Sequence, residues 1–144
     1  MSGERPAPFS VDLPATWETR HSTVFGAPPA GGTVRPNLVV SSRPARGKDL
    51  ATAAHEAKKG LLSQQFPELK FGEEGPATLA GHKGHRLAFT HAVQIGEAEP
   101  ARLARAHVLA ITDGTIIEAH LTAAQDAPEQ MAVLEAMLDS LQIT

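Results

Sequence analysis

At 144 residues, the chain fits one domain that can bury roughly two-thirds of the surface it exposes when unfolded. Hydrophobic residues at 42%, charged residues at 20% and a net charge of −3 exclude both a disordered polyelectrolyte and a polycation drawn to phosphate backbones, so no nucleic-acid partner is expected. The lack of cysteine removes disulfides, thiolate metal sites and thiol catalysis, and a single tryptophan with no tyrosine leaves few stacking platforms.

Residues 1–8 read as a loose polar tail, and residues 9–144 as one domain. The tail has no apolar core of the kind a signal peptide needs. The apolar runs 108–111 and 131–134 fall far short of the ~20 residues of a membrane helix. A cytoplasmic location without stable membrane insertion is therefore expected.

Residues 9–13 alternate apolar and polar, the period of a half-buried strand, and Pro14 stops it. A second short strand follows Trp17 at 21–25. Residues 26–32 are Gly, Ala and Pro throughout, which is turn chemistry. A third strand spans 37–42, with β-branched Val39 and Val40 at its centre. The first helix is expected over 50–66: Asp49 can cap it, Leu50, Ala54, Ala57 and Leu61 recur on one face, and Pro67 ends it. Gly60 within it costs about 1 kcal/mol of helix stability relative to Ala.

Residues 70–79 and 84–93 form two further strands, and in the second Leu87, Phe89, His91 and Val93 share a face. His82 and His85, with two residues between them, are read as loop residues around the start of the second strand and are expected to be solvated, as are the carboxylates Glu73 and Glu74. The strands 102–111 and 116–123 flank Asp113-Gly114, a preferred two-residue hairpin turn because both central positions need positive φ. That turn pairs Thr112 with Thr115. It puts Ala106, Val108, Ala110, Ile117, Ala119 and Leu121 on one face, which is expected to lie under the helices. The opposite face is mixed, with Arg105, His107, Leu109, Ile111, Ile116, Glu118, His120 and Thr122.

The last helix is expected over 127–141, with Asp126 as cap, Glu129 at capping-box spacing and Met131, Leu134, Leu138 and Leu141 as its buried stripe. Short hairpin-linked strands and two helices make an α+β domain, mainly an antiparallel sheet flanked by two helices.

Few residues argue for catalysis. No Gly-x-Ser-x-Gly elbow surrounds Ser41, Ser42 or Ser63. Arg46-Gly-Lys48 lacks the first glycine of a phosphate loop, and Gly81-His-Lys-Gly84 lies between strands rather than the helices of a nucleic-acid clamp. No catalytic residue, metal or cofactor is expected. Seven histidines nonetheless keep a metal or small-ligand reading open at His91, His107 and His120, with Glu118 as fourth ligand or water-activating base. Apolar side chains set among hydrogen-bonding ones on the mixed face also suit a groove for a partner helix or a second copy.

Phe9-x-Val-x-Leu-Pro-x-x-Trp17, the strand ending in Val24-Phe25, Asn37-Leu-Val-Val-Ser-Ser-Arg43 and a helix opening at Asp49-Leu50 resemble the DcrB-related family. The resemblance implies a Mog/PsbP-like fold. Within that family the chain is similar to the Eag chaperones of type VI secretion, which are cytoplasmic homodimers that shield the N-terminal transmembrane helices of effectors before loading. By this resemblance, the client-binding sheet face would comprise Ser22, Val24, Asn37, Val39, Ser41, His107, Leu109 and Ile111. Trp17, Phe25, Leu38 and Val40 would be core. The family also implies a rival, an envelope lipoprotein domain of the DcrB type whose leader has been removed.

Overall fold

The computed structural model describes Pro14, residues 21–26, 34–94 and 97, and residues 99–142. The expected tail, the strand at 9–13, Trp17 and most of the turn segment at 26–32 lie outside the described residues. Elements follow in the order β1 (His21–Gly26), β2 (Asn37–Pro44), α1 (Leu50–Ser63), β3 (Lys70–Leu79), β4 (His82–Val93), β5 (Ala101–Thr112), β6 (Thr115–Ala124) and α2 (Pro128–Asp139). The strands form one antiparallel sheet in the order β1-β2-β6-β5-β4-β3.

Local chemistry explains the ends of several elements. Asp113 and Gly114 take φ of 49° and 73°, and Thr112 pairs with Thr115 as the turn requires. Ala80-Gly81, also left-handed, turns β3 into β4 in the same way. Because that turn is so tight, His82 and His85 belong to strand β4, opposite Leu79 and Pro76, rather than to a loop. Asp49 caps α1 by accepting from the Thr52 N–H at 2.8 Å. Asp126 does not cap α2. Ala127 holds that position without a side-chain bond, and Pro128 opens the helix. The nearby polar side chain, Gln130, instead accepts from the Ala124 N–H at 3.0 Å, tying the helix entry to β6.

The uniformly apolar face of β5 and β6 packs under α2, where Leu38, Leu79, Val108, Ile117 and Leu121 meet Leu134 and Leu138. Arg86 of β4 and Glu135 of α2 form an ion pair at the margin of this layer.

The two helices do not share that face. The chain leaving β2 must pass β6, β5 and β4 to reach β3 at the far edge, and α1 makes this crossing on the mixed face. Ala53, Leu50, Ala54 and Ala57 settle on Leu109, Ile111 and Ile116. The three alanines let the helix lie close. The apolar residues of the mixed face are therefore the landing site of α1, a second core layer.

Candidate functional site: the polar half of the sheet

All eight residues of the expected client face do lie on one side of the sheet. Val24 pairs with Val39, Val39 with His120 and His120 with His107, and direct cross-strand partners point the same way. Ser22, Asn37 and Ser41 follow by the two-residue period, as do Leu109 and Ile111.

Their accessibility divides them. Val24 is 64% exposed and Ser22 is exposed, while Asn37, Val39 and Ser41 are half-buried. Leu109 is fully buried and Ile111 packs against the same cluster, both under α1. His107 is 4% exposed. Leu109 and His107 are buried and do not present themselves to a client, and half-buried Ile111 packs with Leu109 against α1. Of the residues the resemblance assigned to the core, Leu38 is buried and Val40 packs on the α2 layer, but Phe25 is 43% exposed because β1 is an edge strand beyond the reach of α2.

Beside α1, this face holds a polar cluster that opens to solvent mainly at His120. His107 and His120 face each other across the hairpin with ring centroids 4.7 Å apart. Glu118 stands two residues before His120, and its Oε2 lies 3.5 Å from His107 Nε2 and 3.4 Å from His120 Nε2. Its other oxygen, Oε1, accepts from Arg43 Nε at 2.9 Å and meets Arg43 Nη2 at 2.7 Å.

Burial on its own pushes the Glu118 carboxyl up. Hydrogen bonds from His107, His120 and Arg43 outweigh burial and hold it well below the usual carboxylate range. Burial holds the His107 imidazole below its ordinary 6.5, against the opposing pull of Glu118. The cluster thus pairs an ionised carboxylate with a neutral buried imidazole that donates from Nε2. Arg43 closes the sequence motif that begins at Asn37 but had no site role there, although the period of β2 puts it on the same face as Val39 and Ser41.

His91 is elsewhere. It pairs with Leu103, stacks against Phe66 at 4.0 Å between ring centroids, and lies with Arg105 under the connection after α1. Its Nδ1 donates to the Ala92 carbonyl at 3.1 Å, and its Nε2 accepts from Arg105 Nη1 at 3.4 Å, because a guanidinium cannot accept. It does not join His107 and His120, so the expected three-imidazole cluster is replaced by two imidazoles and a carboxylate. His85 and Glu74 are also engaged: Glu74 takes His85 Nε2 at 2.8 Å and Lys58 Nζ at 3.0 Å, which pins α1 to β3 and β4.

Among the described residues, no helix is long and apolar enough to cross a membrane. No family model and no curated protein matches the chain. Solved structures do. PA94, a protein of unknown function from Pseudomonas aeruginosa, aligns with a TM-score of 0.67 and 16% identity over 98% of this chain and 95% of its own. LpqN of Mycobacterium tuberculosis, involved in cell envelope biogenesis, gives 0.54 and 13% over 85% of this chain and 82% of its own. The cyanobacterial PsbP of Synechocystis, CyanoP, gives 0.51 and 14% over 85% of this chain and 89% of its own. Identities this low establish fold alone. The chain has a PsbP-like α+β fold, six antiparallel strands with two helices, as the resemblance implied.

Proposed function

We propose that the protein is a non-catalytic escort, a chaperone of the Eag type that shields the hydrophobic N-terminal helices of a type VI secretion effector before loading. The observation behind this reading is the open strip of sheet beside α1. Exposed Val24 and half-buried Val39 lie there among the polar Ser22, Asn37 and Ser41.

Dimensions favour one helix on that strip. Three strands, β1, β2 and β6, spaced about 4.8 Å apart, set their outer axes about 10 Å apart, which matches a helix about 10–12 Å across with its side chains. α1 supplies one wall. The opposite side is β1, the outermost strand among the described residues, where a second copy would supply the other wall, so the reading includes a homodimer in the cytoplasm. An apolar helix left in water exposes surface worth about 25 cal/mol per Å², so it needs such a cover until delivery. Hydroxyl and amide side chains between the valines can satisfy polar groups of the guest.

Co-expression of the full chain with the apolar N-terminal segment of an effector encoded beside it tests the proposal. The segment is expected to be recovered in the soluble fraction bound to the protein, and Val24→Asp is expected to abolish recovery. A segment that stays insoluble with and without the protein overturns the reading. Export of the native gene product to the envelope would favour the lipoprotein alternative instead.

A further inference from the structure

We propose that His107, His120 and Glu118 form a binding site for a divalent transition-metal ion, zinc foremost. Among the described residues, this is the group whose imidazole and carboxylate donor atoms all lie within 4.8 Å of one another. The inference is independent of the escort reading and can stand if that reading fails.

The distances, those of weak hydrogen bonds here, also suit an ion. Nε2 to Oε2 separations of 3.5 and 3.4 Å are long for N–H···O bonds, which centre on about 2.9 Å. They match the edge of a tetrahedron whose bonds to metal are about 2.0–2.2 Å, which is about 3.4 Å. The two imidazoles are the wide pair, and one ring must close inward. The His120 side chain, 34% exposed, is free of the packing that holds His107.

The surroundings supply the outer shell such a site needs. Arg43 takes only Oε1 of Glu118, which orients the carboxylate and leaves Oε2 for the ion. The antiparallel ladder fixes His107 opposite His120 on rigid strands. Two imidazoles and one carboxylate are the donor set of open zinc sites, with the fourth position left to water on the exposed side of His120. The Arg43 charge opposes a dication, so the site is expected to exchange its metal rather than hold it as a structural staple.

Calorimetric titration of the chelator-treated, tag-free full chain with zinc chloride tests the proposal. One equivalent is expected to bind. His120→Ala and Glu118→Gln are each expected to weaken binding by at least about tenfold. His85→Ala, remote from the cluster, is expected to leave it unchanged. Cobalt(II) is expected to give tetrahedral visible absorption with the native chain and lose it with His120→Ala. Absence of stoichiometric zinc uptake, or equal uptake by the native chain and His120→Ala, overturns the site. Should Glu118→Gln fail to fold, the half-exposed His120 position decides alone.

Discussion

Arg43 reaches diagonally across the ladder between β2 and β6 to Glu118, whose direct partner is Ser41, and meets a single carboxylate oxygen through both Nε at 2.9 Å and Nη2 at 2.7 Å. Glu118 is mostly buried, so removing the guanidinium leaves a charge in a site with little water. Arg43→Met is expected to destabilise the fold by about 1–3 kcal/mol, in the range of hydrogen bonds to charged groups in partly buried settings. Urea denaturation of Arg43→Met, Glu118→Gln and the double variant measures it. A coupling energy near zero would show that the two side chains are independent.

Leu109 and Val24 lie on the same side of the sheet and are expected to respond in opposite ways. Leu109 is fully buried beneath α1, so Leu109→Ala opens a cavity and is expected to cost about 2–5 kcal/mol. Val24 is largely exposed, and Val24→Ser is expected to stay within about 0.5 kcal/mol of the native chain. Parallel denaturation curves check both. A neutral Leu109→Ala would mean that α1 does not pack where it is placed.

Gly84 of β4 sits against the backbone of β5. A Cβ built there would stand 2.4 Å from the Leu109 carbonyl oxygen, and a backbone atom of a central strand cannot swing aside. Gly84→Ala is expected to destabilise by about 1–3 kcal/mol through overpacking. Gly75, where a Cβ meets nothing within 4 Å, serves as the control. Thermal melts of Gly84→Ala and Gly75→Ala separate the two, and equal melting temperatures would refute the close approach.

These contrasts mark what could be read without coordinates. Asp113-Gly114 demands positive φ, and that one turn set the register that brings His107 to His120 and sorts every residue of β5 and β6 between two faces. Alternation on β2 likewise put Val39 and Ser41 together. Which face α1 covers was not legible, because it depends on β3 taking the far edge of the sheet. That edge choice follows from the non-local pairing of β2 with β6, and no local signal records it. Leu109, Ile111 and Ile116 therefore read as a groove when they are a floor. His91 was grouped with His107 for a similar reason: alternation gave its face but not its place along the ladder, where it falls opposite Leu103.

His91 gives the fold a pH dependence whose sign follows from its surroundings. Burial, then the nearby Arg105 charge, holds its imidazole below the ordinary 6.5, while the bond to the Ala92 carbonyl pulls the other way. Phe66 and Phe89 stack against it, and Arg105 is the charged group facing it. In the unfolded chain the ring protonates below about pH 6.5. The folded chain resists that proton, so the unfolded state binds more protons in this window and stability falls as pH drops through it. One proton contributes at most about 1.4 kcal/mol per pH unit. His91→Phe removes the titrating group while keeping the ring stack, and is expected to flatten this part of the profile between pH 7 and the onset of carboxylate protonation near pH 4.5. Urea denaturation across that range measures the slope. An identical slope in the native chain and His91→Phe would assign the pH dependence to other groups.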